Sequence, residues 1–103
     1  TYFYHITTLQ KWEEIKKEGL RSGEDGTIQV ITTDNPAIID IIARNHMAMT
    51  DYAVIRFCPC NLGLYPVKLD PPYDSSPESY MTRVRTSVID PLLLELVAMQ
   101  TPG

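Results

Sequence analysis

Residues 2–20 read YFYHITTLQKWEEIKKEGL, and this stretch decides the fold. The aromatic and β-branched run at 2–6 predicts a short strand. Thr7 then opens a helix, because Thr7-x-x-Gln10 fits a capping box and apolar residues recur on one helical face at Leu9, Trp12 and Ile15. Gly19 is placed to end that helix in a left-handed cap. The chain therefore opens with a strand, a short amphipathic helix and a sharp turn.

The rest of the chain adds one helix and several strands. Asp34-Asn35-Pro36 predicts the start of a helix over 36–49, whose Asp40 and Arg44 are spaced to pair. In that helix the core-facing residues are expected to be Ile38, Ile41, Ile42 and Met49. Strands are predicted over 27–32, 52–58, 64–69, 80–88 and 92–99, with an exposed loop over 70–79. Helices first and strands last favour an α+β domain with a mainly antiparallel sheet.

Size and composition narrow the function classes. A chain of 103 residues, 44% apolar and 21% charged, predicts one globular domain over 1–103. The net charge of −4 is the wrong sign for a domain that wraps nucleic acid by its phosphates. No apolar run is long enough for a membrane span. Cys58 and Cys60 are expected to be free thiols at a strand end in a reducing compartment, which favours the cytoplasm. Because the chain begins at Thr1, a secreted effector is kept as an alternative.

Several polar residues stand where they could serve a ligand. His5 lies in the apolar first strand, where one ring nitrogen can bond a backbone carbonyl and the other a substrate hydroxyl. Thr32 and Thr33 end the second strand, and they either bind a ligand or cap the following turn. Glu78 and Tyr80 flank a later strand. Arg83 and Arg85 share one face of it, which suits either an anion or an exposed strand face. His46 is expected to serve the negative end of its helix.

Taken together, these segments resemble small ADP-ribosyltransferase-fold domains. The resemblance rests on motifs at both ends of the chain: Tyr4-His5-Ile6-Thr7 before a helix with Trp12, Gly19-Leu20 after that helix, and Val88-x-Asp90-Pro91-Leu92. Between them it rests on the strand 28–33, the helix 36–49, and the strand 53–57 with a turn at 61–63. Their order matches over nearly the whole chain. The likeness is closest to compact bacterial members without an assigned function. It is more distant to DNA-targeting ADP-ribosyltransferase toxins and tRNA 2′-phosphotransferases.

The resemblance implies a fold and a ligand. It implies split antiparallel β-sheets with two helices near the N-terminus, and a site for NAD or another ADP-ribose-bearing ligand. By that likeness His5 orients a ribose, Thr32 and Thr33 support the nicotinamide end, and Tyr80 or Tyr52 stacks on it. Arg83 and Arg85 hold pyrophosphate.

The resemblance also implies that Glu78 and His5 are the catalytic residues. Glu78 would stabilise the oxocarbenium-like cation during transfer of ADP-ribose to an acceptor, a protein or a nucleic acid that the sequence does not identify. Thr32 stands where the family has a stacking Tyr, and Glu78 stands at a loop edge. These departures keep two alternatives open: a non-catalytic nucleotide-binding module of the same fold, and a protein-interaction domain. Neither a metal site nor a membrane partner is expected.

Overall fold

The computed structural model describes residues 2–62 and 76–101, and these form seven strands and two helices. The predicted strand at 64–69 and most of the predicted loop at 70–79 lie outside the described residues. The strands are β1 Phe3–Thr7, β2 Leu20–Arg21, β3 Thr27–Ile31, β4 Tyr52–Phe57, β5 Met81–Arg85, β6 Val88–Ile89 and β7 Glu95–Gln100. The helices are α1 Leu9–Glu18 and α2 Pro36–Ile41, and α2 continues as a π-helical segment, Ile42–His46.

Five of these strands form one antiparallel sheet in the order β5-β3-β1-β4-β7, and β2 and β6 form a separate two-stranded ladder. The central strand β1 pairs along its whole length with β4, from Phe3 opposite Phe57 to Thr7 opposite Ala53. The expected α+β class with an antiparallel sheet is therefore confirmed. No helix among the described residues is long and apolar enough to cross a membrane.

The sheet is covered by a helix on each face, because alternate side chains of each strand enter different clusters. On one face, Phe3, Ile55 and Phe57 pack with Ile15 of α1, and the Phe3 and Phe57 rings meet edge to face at 6.1 Å. On the other face, Ile6 and Val54 are among the residues that pack with α2. Burying apolar side chains on both faces is what fixes the register of the central strands.

Helix α1 begins one residue later than the sequence predicted. Thr7 is buried and still belongs to the β1–β4 ladder, so Thr8 is the first residue able to cap the helix. The Thr8 hydroxyl accepts a hydrogen bond from the Lys11 N–H at 3.0 Å, and the expected capping box with Gln10 does not form. At the other end Gly19 has the positive φ expected of it, 97°, but its ψ of 170° lies outside the left-handed helical region, so the predicted left-handed cap does not form. A Cβ there would lie 2.5 Å from the Ile89 carbonyl oxygen.

Helix α2 begins as predicted and ends earlier. Asn35 caps it by accepting from the Ala37 N–H, Pro36 takes the first position, and Arg44 pairs with Asp40 at 3.0 Å. The helix ends at His46 and not at 49. The expectation that Ile41 faces the core is wrong, since Ile41 is 41% exposed, whereas Ile39 and the predicted Ile42 are buried.

The late strands are shorter than predicted. The segment 80–88 divides into β5 and β6, with Thr86 and Ser87 between them. The segment 92–99 begins with a 3₁₀ turn, Pro91–Leu93, before β7. Strand β7 is an edge strand whose six residues are all exposed, so its apolar residues do not contribute to the core of the described domain.

Candidate functional site

Strands β1 and β3 part after a single residue pair, and the site lies where they part. Tyr4 is opposite Ile31, and no further pair joins the two strands. An uninterrupted ladder would place Ile6 opposite Gln29. Instead the His5 side chain bonds the Gln29 carbonyl oxygen from Nδ1 at 2.7 Å. The imidazole thus replaces a backbone partner and holds the gap between the two strands open.

The protonation of His5 follows from its surroundings. Burial lowers the pKa of the imidazole more than the Gln29 carbonyl raises it, so the ring is neutral near pH 7. A carbonyl only accepts, so Nδ1 carries the proton and Nε2 is an acceptor. Nε2 has no hydrogen-bond partner among the described residues. Every fully buried polar side-chain atom of those residues does have a hydrogen-bond partner. Nε2 is therefore not fully buried, and His5 lines an adjoining cavity.

That cavity, here called the His5 cavity, has a volume of about 370 Å³. It fills the gap between α1 and β1 on one side and β3 and β5 on the other. Besides His5, its charged lining residues are Lys11, Glu14, Glu18, Arg21 and Arg83, and the turn Gly19–Gly23 contributes backbone. The volume falls in the range of ligand pockets, and the lining offers both cations and carboxylates.

Arg83 is held in place at the β5 wall. Its guanidinium donates to the Thr27 hydroxyl at 3.2 Å and lies 3.6 Å from the Asp25 carboxylate. Thr27 in turn donates its hydroxyl and its backbone N–H to Asp25, and these hydrogen bonds hold the pKa of that carboxyl below its usual range. The network keeps Asp25 ionised and orients Arg83 while leaving the guanidinium half-exposed.

Thr32, Thr33 and Tyr80 lie together in a different place. They line a second cavity of about 350 Å³, the tyrosine cavity, with Tyr2, Tyr4 and Asp34. The Tyr80 carbonyl accepts from both the N–H and the hydroxyl of Thr32, at 2.9 and 3.2 Å. These three residues thus form one predicted group, but none of them lines the His5 cavity.

The other two predicted residues lie outside both cavities. Glu78 is in a 3₁₀ turn, Pro77–Tyr80, with its carboxylate 2.8 Å from Nε2 of His46. Arg85 donates to the Asp25 carbonyl oxygen and is exposed. Of the seven residues predicted from the sequence, His5 and Arg83 therefore share one cavity, three share another, and Glu78 and Arg85 line neither.

Sequence reasoning missed the α1 wall of the His5 cavity. Lys11, Glu14 and Glu18 recur at three- and four-residue spacing, which places them on one helical face. That spacing could have indicated a polar wall, because Lys11, Glu14 and Glu18 lie on the helical face next to the core positions Trp12 and Ile15. Arg21 had no comparable signal, since its position depends on the pairing of β2 with β6.

Comparison with protein-family models, curated proteins and solved structures finds no match to this chain. The site must therefore be interpreted from its own geometry. Within the described residues no group of three or more His, Cys, Asp or Glu side chains converges in a way that could hold a metal ion. The chemistry available at the His5 cavity is hydrogen bonding and charge.

Proposed function

We propose that the chain is an ADP-ribosyltransferase-like domain that binds NAD, or another ADP-ribose-bearing ligand, in the His5 cavity. One observation carries the proposal: a neutral histidine, tied to Gln29 through Nδ1 and with Nε2 left as an acceptor, lines a cavity that Arg83 also lines. A ribose hydroxyl is the kind of donor that such a nitrogen accepts. This is the role that the sequence resemblance implies for His5.

The charged lining supports a ligand with phosphates. The guanidinium of Arg83 and the side chains of Lys11 and Arg21 line the same cavity, and arginine binds phosphate oxygens in a bidentate manner. The carboxylates of Glu14 and Glu18 line the α1 wall. They disfavour phosphate there and favour a positively charged group, such as the ring of oxidised nicotinamide. A dinucleotide with one anionic and one cationic part suits both sets of residues.

Binding is better supported than transfer. Transfer of ADP-ribose breaks the bond between ribose and nicotinamide and builds positive charge on the ribose, which a fixed carboxylate stabilises. Glu78, the residue expected to do this, pairs with His46 outside the cavity lining. That pairing favours the alternative of a module that binds the nucleotide without transferring it. The two thiols of the sequence support a cytoplasmic location for either version.

Calorimetric titration with NAD, ADP-ribose and ADP tests the binding proposal. His5→Ala removes a hydrogen bond worth about 0.5–1.5 kcal/mol, so affinity should fall about 2- to 12-fold. Arg83→Ala should weaken all three ligands by more than His5→Ala does, since a hydrogen bond to a charged group is worth about 1.5–3 kcal/mol. Arg85→Ala is the matched control, because Arg85 shares the strand face but not the cavity. No binding by the parent chain, or equal losses in the two arginine variants, would overturn the proposal.

A further inference from the structure

The tyrosine cavity is a second concave site, separate from the His5 cavity in its lining. Three aromatic rings, of Tyr2, Tyr4 and Tyr80, share it with the carboxylate of Asp34 and the hydroxyls of Thr32 and Thr33. Tyr4 is buried, Tyr2 is 41% exposed and Tyr80 is half-buried, so the three lining tyrosines differ in their exposure to solvent. Aromatic faces beside a carboxylate are the groups that attract an organic cation.

The carboxylate of Asp34 has no partner in the described chain. Asp34 makes no hydrogen bond or ion pair within residues 2–62 and 76–101, and no Lys, Arg or His of those ranges lines the cavity, although the Arg56 guanidinium lies over the ring of Tyr2. Thr32 donates its hydroxyl proton to the Tyr80 carbonyl, so the Thr32 oxygen faces its surroundings as an acceptor. The cavity therefore offers negative charge and acceptors to a ligand that supplies donors.

The molecule already shows which cation fits such a ring. The Arg56 guanidinium stacks over the Tyr2 ring at 4.2 Å from its centre, and Arg56 also bonds Glu95 at 2.8 Å. A planar guanidinium combines stacking with several N–H donors and no acceptor. An ammonium group is a compact, strongly hydrated charge that stacks poorly. The same preference applies to a ligand that enters beside Asp34.

We propose that the tyrosine cavity binds a guanidinium group, stacked on the Tyr80 ring and paired with the Asp34 carboxylate. Two sources share this chemistry: the side chain of an arginine within a peptide, and free arginine. A volume of about 350 Å³ exceeds what a guanidinium alone needs, which leaves room for its aliphatic stem. The inference does not depend on nucleotide binding, since no residue of this cavity lines the His5 cavity.

Calorimetric titration of the whole chain tests this with N-acetyl-arginine amide as the peptide-like probe and L-arginine as the free form. N-acetyl-citrulline amide has nearly the same shape without the charge, and N-acetyl-lysine amide has the charge without the plane. We expect the arginine amide to bind, the citrulline amide to bind at least tenfold more weakly, and the lysine amide to lie between them. The peptide source is supported if the amide binds more tightly than L-arginine, and the free source if the order is reversed.

Three variants tie the binding to the cavity. Asp34→Asn should weaken the arginine probe about tenfold or more, because it removes the charge and keeps the shape. Tyr80→Leu should weaken it and Tyr80→Phe should not, because only the former removes the ring. Glu24→Gln removes an exposed carboxylate elsewhere and should change nothing. His5→Ala should leave the arginine probe unaffected while it weakens NAD, so failure of one proposal is distinguishable from failure of the other.

Several results would overturn the proposal. These are no detectable binding of either arginine probe, equal binding of arginine and lysine amides, and equal losses in Asp34→Asn and Glu24→Gln. Circular dichroism of each variant confirms that the fold is retained, and the Asp34→Asn variant keeps the test informative if Tyr80→Leu unfolds.

Discussion

Gly19 is the position where a single methyl group should cost most. Its backbone lies at φ 97° and ψ 170°, a region that residues with a Cβ rarely adopt. The added Cβ of Gly19→Ala would lie 2.5 Å from the Ile89 carbonyl oxygen and 3.1 Å from a Val88 methyl group. The first contact is with backbone of the β2–β6 ladder, which cannot rotate away.

The expected cost adds two effects. The backbone strain costs about 1–3 kcal/mol, and the steric overlap costs about 1–3 kcal/mol. We therefore expect Gly19→Ala to lower the free energy of unfolding by about 2–6 kcal/mol, a large part of the stability of a small domain. With a urea m-value of about 2 kcal/mol/M, the midpoint should fall by about 1–3 M.

Urea unfolding followed by Trp12 fluorescence measures this, because Trp12 is partly buried against the core cluster that contains Phe3, Ile15 and Phe57. Gly23→Ala is the matched control. A Cβ on Gly23 would meet only ordinary contacts, at 3.7 Å from Asp25 and 3.9 Å from the Thr27 carbonyl. That variant should change the unfolding free energy by less than about 1 kcal/mol. A Gly19→Ala midpoint equal to that of Gly23→Ala would refute the reasoning from backbone geometry.

Three further predictions concern the cap, a phenol and a carboxylate. Thr8→Ala should lower the unfolding free energy by about 1 kcal/mol in a urea titration, because it removes the α1 cap; no change would mean that Thr8 does not cap the helix. Burial and the Asp40 carboxylate raise the pKa of Tyr52 to about 12, so the neutral phenol favours the folded state. Tyr52 therefore contributes up to about 2.7 kcal/mol to the free energy of unfolding below pH 10, and this contribution should be lost as the pH rises from 10 to 12. Tyr52→Phe should flatten that loss, and equal pH profiles would contradict it. If the chain transfers ADP-ribose through Glu78, Glu78→Gln should slow nicotinamide release about 100- to 1000-fold and keep NAD affinity. Equal nicotinamide release by both proteins would exclude a catalytic role for Glu78, and no release by the parent would favour a binding module.

The sequence predicted the elements better than their ends. The Asn35-Pro36 start and the Gly19 turn were predictable because a cap and a positive φ each need particular residue types. The α1 cap was misplaced by one residue because the β1–β4 ladder extends through Thr7. Pairing between distant strands, which local sequence does not encode, decided that boundary.

The candidate site was predictable in part. His5 could be recognised as a polar residue in an apolar strand, and the structure gives it a cavity and a backbone partner. Its separation from Thr32 and Thr33 could not be anticipated. That separation depends on β1 and β3 parting after the single pair Tyr4–Ile31, which is a tertiary feature. The pairing of Glu78 with His46 likewise joins residues 32 positions apart in the chain.

The central claim is that a nucleotide binds in the His5 cavity, and NMR mapping of an NAD titration tests it most directly. NAD should shift the ring resonances of His5, the side-chain resonances of Arg83 and the backbone amides of Gly19–Gly23. Little change is expected at Thr32, Thr33 and Tyr80, which line the other cavity. Shifts confined to the tyrosine cavity, or no shifts at saturating NAD, would contradict it.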